Sequence, residues 1–197
     1  MSQETSDQQD GLDMARLAEG HDAALNELMA RHGERLFHYL VRQLQNETDA
    51  AEVAQETFVR VYQNAAKFKP GAKFSAWLYT IATNLTRDRF RSRSRHPQVS
   101  LEAENPITGG SLGDELSEEA ASPSEVLQDE ESAAIVRRAL AKLPEELRTP
   151  LILAEYEQQS YIKIAQILDC SPKAVETRIY RARQKLRCLL GKLLDDV

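Results

Sequence analysis

Between Ser160 and Arg187 the chain reads SYIKIAQILDCSPKAVETRIYRARQKLR, a stretch in which cations alternate with hydroxyl, amide and aromatic side chains. These are the groups duplex DNA takes: Arg and Lys hold phosphates and guanine edges, while short polar side chains reach other base edges. The spacing says what must position them. Val175, Ile179, Ala182, Leu186 and Leu189 recur at helical intervals, so a helix starting near Pro172 buries that stripe. Ser171 suits its N-cap and Pro172 its first turn, where no backbone donor is lost. At 3.6 residues per turn, Lys173, Thr177, Tyr180, Arg181 and Gln184 point farthest from the stripe. Arg178, Arg183, Lys185 and Arg187 flank them. Tyr161, Ile164, Ala165 and Leu168 predict a supporting helix, and Asp169 to Ser171 a tight turn, which together make a helix-turn-helix. A basic run alone would read as a solvated outer face; the supporting helix and turn favour duplex DNA.

Composition limits what else the chain can be. Its 197 residues are 42% hydrophobic with only 8 glycines, enough for one or two small cores and in favour of an all-α fold. No apolar run nears the roughly 20 residues a bilayer span needs, and the polar start MSQETSDQQDGLD is unlike a secretion signal, so the cytoplasm is expected. Cys170 and Cys188 make no disulfide framework and have no metal-spaced partner. His21, His32, His38 and His96 are not spaced as a ligand set, and no phosphate-binding glycine loop or nucleophile motif occurs. Neither a metal, a cofactor nor catalysis is expected.

A formal net charge of -6 argues against a nucleic-acid partner until its distribution is considered. Residues 21–95 and 132–197 each carry 12 Lys and Arg against 8 Asp and Glu. Residues 96–131 hold 10 acids and no Lys or Arg, and the first 20 residues hold 5 acids and one Arg. The organisation read here is therefore an acidic N-terminal tail (1–20), a basic module (21–95), an acidic linker (96–131) and a second basic module (132–197). The linker is rich in Pro, Gly, Ser and acids, too poor in large apolar side chains to fold alone.

In the first basic module, Leu25, Leu28, Met29, Leu36, Tyr39 and Leu40 predict a helix over about 22–45. A second, about 48–68, buries Ala54, Phe58, Val61 and Ala65 and displays Asp49, Glu52, Glu56 and Gln63, with Gln55 alongside. That acidic and amide face on a basic module suits a protein partner, with plain solvation as the alternative. After a Pro70-Gly71 turn, FSAWLYTIATNLTRDRFRSRSR predicts a third helix with Trp77, Ile81, Leu85 and Phe74 as its buried stripe. Its polar side offers Thr80, Asn84, Arg87, Asp88 and Arg91. Aromatics beside cations are what a single-strand binder uses, since bases stack on rings while Lys and Arg hold the backbone; Lys69, Lys73 and Asn84 are the better contact candidates and Trp77 reads as core.

Taken in order, DAAEVAQETFVRVY (49–62), FSAWLYTIATNLTRDRFRSRSR (74–95), LPEELRTPLILAEYEQQSYIKIAQIL (143–168) and AVETRIYRARQKLR (174–187) resemble the extracytoplasmic-function sigma factors of the sigma-70 family. The resemblance implies that the first segment docks on the β′ coiled coil of core RNA polymerase, through Asp49, Glu52, Gln55, Glu56 and Phe58. It implies that the loop and helix after it melt and read the -10 element, with Lys69, Lys73, Phe74, Tyr79, Thr80, Asn84, Arg87, Asp88 and Arg91 as the surface and a flipped base in a pocket. It implies duplex reading of the -35 element by Lys173, Glu176, Thr177, Arg178, Tyr180, Arg181, Arg183 and Gln184. The linker would lie in the RNA exit path, with the β and β′ subunits, promoter DNA and an anti-sigma protein as partners.

Where the family's turn commonly carries Gly this chain has Asp169, which tolerates a left-handed backbone. Lys173 and Glu176 stand where Gly and Lys are common, and Lys163 removes the acid of a capping box with Ser160. Two other readings stand beside this one. A free-standing helix-turn-helix regulator leaves the aromatic, basic helix at 74–95 without a role, and a metal-dependent nuclease lacks a ligand set.

Overall fold

A computed structural model describes residues 3–95 and 123–195, with side chains over 6–93 and 132–193. The described residues form eight α-helices and one 3-10 turn: α1 (Gln3–Ala18), α2 (Ala23–Leu44), α3 (Glu47–Gln63), the turn Ala65–Lys67, α4 (Phe74–Arg95), α5 (Pro123–Ala141), α6 (Glu145–Glu155), α7 (Tyr161–Leu168) and α8 (Pro172–Asp195). Helices α1 to α4 make one bundle and α5 to α8 a second, as the all-α, two-domain expectation has it.

The first bundle forms because α2 presents Leu28, Leu36, Tyr39 and Leu40 to Val53, Phe58 and Val61 of α3 and to Phe74, Leu78 and Ala82 of α4, all buried. Asn46 caps α3 by accepting from the Asp49 backbone N–H at 2.8 Å, an N-cap worth about 1 kcal/mol. The helix predicted to run to Phe68 stops at Gln63, where the Asn64 amide donates to the Arg60 carbonyl (2.9 Å) and competes with helix propagation. Gly71, at φ 79°, makes the turn into α4.

Residues 1–20, expected as a tail, contain α1, which buries Met14 and Leu17. Two of its acids are withdrawn from solvent: Asp10 and Asp13 are fully buried and ion-paired with Arg31, and His32 lies 2.8 Å from Asp10. Burial of those carboxylates is tolerated because both carry charged, hydrogen-bonding partners.

The second bundle packs Leu140, Leu143, Ile152, Leu153, Ile164, Leu168, Val175, Ile179 and Ala182. Its first helix begins at Pro123, inside the stretch assigned to the linker; residues 96–122 lie outside the described residues.

The two bundles also meet. α4 packs on α7, and α2 on α5 and α6. Along this seam the Tyr79 hydroxyl donates to the Glu157 carboxylate (2.5 Å), Arg35 pairs with the same carboxylate (3.2 Å), and the Thr149 hydroxyl donates to the Gln43 side-chain oxygen (3.3 Å). The Arg42 guanidinium stacks over Tyr156 (4.3 Å), Arg148 over Phe90 (5.3 Å), and Arg87 pairs with Glu145 (3.2 Å).

Candidate nucleic-acid interface

The helix-turn-helix forms as its sequence requires. Ser160 caps α7 even without an acid at position 163, accepting from the Lys163 backbone N–H at 3.4 Å. Asp169 ends α7 in the left-handed region (φ 50°, ψ 56°), the conformation that a short polar side chain tolerates. The Ser171 hydroxyl accepts from the Ala174 N–H (3.1 Å) and starts α8. Val175, Ile179 and Ala182 are buried, and Leu186 and Leu189 pack at the margin of the core.

The opposite face of α8 is open. Lys173, Glu176, Thr177, Tyr180, Arg181, Arg183 and Gln184 are exposed, Tyr180 at 62%, and Arg178 is half-buried. Lys173 and Glu176 pair at 2.7 Å, one helical turn apart, and Gln184 donates to the Tyr180 hydroxyl at 2.7 Å. Arg183 reaches back to Glu155 (2.5 Å), which raises the guanidinium's pKa and points it along the rim. Arg178 is held inward, 3.7 Å from Cys170 Sγ. Tyr161 of α7 joins Lys173, Glu176, Thr177, Tyr180 and Arg183 around a shallow groove of about 370 Å³.

The residues proposed for single-stranded DNA split in two. Lys69, Lys73, Asn84, Asp88 and Arg91 are exposed along one side of α4 and its preceding loop. Phe74 and Tyr79 are not: they are buried, at 0% and 4% exposure, because Phe74 packs against Phe68, His32 and Trp77 while Tyr79 meets Tyr39 and Glu157. As direct contacts in this arrangement both are corrected to packing residues. Thr80 is half-buried and bonds the Ala76 carbonyl, and Arg87 is held by Glu145. Trp77 takes its expected place against the core, beside Phe68 (5.3 Å). Lys73 carries an ion pair with Asp7 of α1 (2.5 Å).

The acidic face of α3 is also partly engaged. Glu52 and Gln55 are exposed, and Glu56 pairs with Arg60 one turn on (2.7 Å). Asp49 turns toward α4, where Arg89 and Arg93 bind it, and Phe58 is a core residue at 5% exposure. The helical spacing placed Phe58 on the buried stripe, where it lies, whereas Asp49, displayed by the same spacing, is turned by its pairing with α4.

Sequence reasoning missed Glu157, Gln43, Arg148 and Thr149, all of which are buried at the seam. Burial pushes the Glu157 carboxyl above its usual range; the Tyr79 hydrogen bond and the nearby Arg35 and Arg42 oppose the shift without cancelling it. The Tyr79 hydroxyl is pushed up as well, by burial first and then by Glu157. A signal existed for Gln43. It lies one turn beyond Leu36, Tyr39 and Leu40 on the apolar stripe of α2, where a polar side chain needs a buried partner.

Known proteins resemble the chain over most of its length. The family model described as Sigma-70 region 2 matches residues 28–96, and that described as Sigma-70, region 4 matches residues 133–186. The ECF RNA polymerase sigma factor SigW of Bacillus subtilis is 32% identical over 90% of this chain and 95% of its own length. The ECF RNA polymerase sigma-E factor of Escherichia coli K12 is 33% identical over 94% and 95%. Among solved structures, CnrH in complex with the cytosolic domain of CnrY superposes with a TM-score of 0.68 at 29% identity, covering 93% of this chain and 98% of that one. The sigma factor RpoE of Bartonella quintana, solved with the anti-sigma factor NepR, shares the fold (TM-score 0.63, 23% identity, 84% and 96% covered). No helix among the described residues is long and apolar enough to cross a membrane.

Proposed function

This chain belongs to the extracytoplasmic-function group of the sigma-70 family, and we propose that it reads a promoter as two separated elements, each through one of the faces described above. It is a sigma factor, acting with core RNA polymerase in promoter-specific initiation. In our reading α8 enters the major groove of the -35 duplex. Arg181, Gln184, Thr177 and Tyr180 face the base edges there, and Arg178 and Arg183 the phosphates. Lys173 and Glu176 are suited to a C·G pair, since a carboxylate accepts from cytosine N4 and an ammonium donates to guanine O6 and N7. The -10 element is assigned to Lys69, Lys73, Thr80, Asn84, Arg87, Asp88 and Arg91, and the polymerase to Glu52, Gln55 and Glu56. Asp49, Phe58, Phe74 and Tyr79 set the shape of those surfaces from beneath.

The observation that carries this reading is the open face of α8, where seven polar and aromatic side chains stand exposed opposite the buried Val175, Ile179 and Ala182. The protein does no chemistry of its own and works in the cytoplasm, with binding energy as its means. Each module has a small cationic excess, so each alone holds DNA weakly and in a salt-sensitive way. Fixing both on one polymerase makes the second contact intramolecular, at an effective concentration on the order of millimolar, and selectivity becomes the product of the two. Because CnrH and the Bartonella sigma factor were solved with CnrY and NepR, we assign this chain an anti-sigma antagonist too.

Titrating a promoter fragment with the chain alone and with core polymerase tests the scheme. Sequence-specific binding should appear only with polymerase. Equally tight, equally specific binding by the chain alone would overturn it.

A further inference from the structure

Glu155 stands where neither its helix nor its surroundings favour an acid. It is the last residue of α6, at the end whose free carbonyls form the negative pole of the helix, so local electrostatics oppose a carboxylate there. It also adds negative charge beside the α8 face assigned to the -35 duplex, where an acid repels phosphates. Stability does not explain its presence. In its ion pair with Arg183 of α8 the two side chains are 45% and 56% exposed, and pairs so open to water contribute little to folding.

What the pair does is fix a direction. Arg183 Nε (3.2 Å) and Nη2 (2.5 Å) both donate to one Glu155 oxygen, Oε1, so one side of the guanidinium is occupied by the carboxylate. The end edge, made of Nη1 and the second hydrogen of Nη2, lies outside that pair, and it keeps the two parallel donors that match a phosphate. Arg183 lines the groove between Tyr161 of α7 and Thr177 and Tyr180 of α8, so the held edge belongs to the surface that a duplex on α8 covers. Without Glu155 an exposed arginine samples many rotamers, and ordering it on DNA opposes binding.

We infer that Glu155 is a positioning residue for -35 reading: by holding Arg183 through Nε and Nη2 it presents the end edge of the guanidinium to a phosphate of the duplex. The inference rests on the -35 assignment of α8 given above. It makes this acid favourable to DNA binding in spite of its sign. The pair persists in the bound state, where carboxylate and phosphate share one guanidinium across different edges.

Promoter affinity tests this, measured over a series of salt concentrations with the full chain on core polymerase and a duplex from which the unaltered chain starts transcripts. Arg183→Ala should weaken binding about tenfold, as for a hydrogen bond to a charged group, and reduce the salt slope by about one. Glu155→Ala should weaken it about fivefold and reduce the slope as well, because the arginine is no longer ordered in advance. Glu155→Gln keeps an acceptor oxygen and should recover most of that loss. The two alanine changes together should cost no more than Arg183→Ala alone, since each removes the same contact. Glu146→Ala deletes an exposed acid of the same helix and should leave affinity unchanged or raise it. Unchanged or tighter binding by Glu155→Ala, the result of simply removing a repelling charge, overturns the inference while leaving -35 reading by α8 intact. Affinity lost only in step with a lower denaturant midpoint would make Glu155 a structural residue and overturn it too. No effect of Arg183→Ala would instead remove this arginine from the -35 surface, and the positioning with it.

Discussion

The bundle interiors and the seam between the bundles are both buried, yet they hold by different means. Inside, Leu36, Leu40, Phe74, Leu78, Ile152 and Ile179 are buried members of the hydrophobic core, and that burial is lost to water if the helices part. At the seam, Glu157, Arg35, Gln43, Thr149 and Arg148 exchange bonds that water can supply. The net value of such a bond is about 0.5–1.5 kcal/mol against several for a buried side chain. The bundles are therefore held mainly by apolar burial and their apposition mainly by polar bonds.

Truncations sharpen this difference most. Phe74→Ala or Ile152→Ala, each in a fully buried setting, should cost about 3–5 and 2–5 kcal/mol of folding stability, read as a lower denaturant midpoint at unchanged slope. At the seam, Thr149→Val removes only the hydrogen bond to Gln43 and should cost less than about 1.5 kcal/mol by the same measurement. A seam substitution that unfolds a bundle as readily as Phe74→Ala would erase the distinction.

Partner binding gives an intermediate effect. Glu56→Lys reverses the sign of an exposed α3 side chain without touching either core, so it should weaken association with core polymerase by about tenfold or more. Unchanged polymerase affinity would remove α3 from the docking surface. On α8, Arg181→Ala should lower promoter affinity of the polymerase-bound chain and reduce the salt slope by about one if the guanidinium meets a phosphate; loss confined to one base position would make it a base contact instead.

The smallest expected effect is on pH. The Glu157 carboxyl is raised where it lies at the seam, chiefly by burial, so the apposition of the bundles is penalised while that group is charged and relieved as pH falls into the carboxylate range. Lys163 is lowered, by burial and then by Lys73, so its penalty is relieved as pH rises toward the lysine range. Tyr79, Arg35 and Arg42 face Glu157, and Asp7 and Lys73 face Lys163. Both effects leave the apposition of the bundles weakest near neutrality, and energy transfer between dyes placed one on each bundle, followed across the pH range, should show its minimum there. A maximum there would contradict the assignment of the two shifts to the seam.

Local features were legible in the sequence because their causes are local. The Ser171 cap, the left-handed Asp169 and the stripe Val175, Ile179, Ala182 all follow from residues within a few positions of one another. What escaped depends on partners far along the chain. The acids of α1 look like a solvated tail until Arg31 and His32 are seen to meet Asp10 and Asp13, and Glu157 looks like a surface acid until Tyr79 and Arg35 close on it. On α3, spacing puts Phe58 in the core and it lies there, whereas Asp49 belongs to the displayed face by spacing and is drawn toward α4 by Arg89 and Arg93.

Run-off transcription bears most directly on the account. The unaltered chain, added to bacterial core polymerase over a promoter library randomised at both elements, should start transcripts from a restricted set that share two motifs at a fixed spacing, including a C·G pair lost in Glu176→Gln. Failure to start any transcript above core polymerase alone, across the whole library, would contradict it.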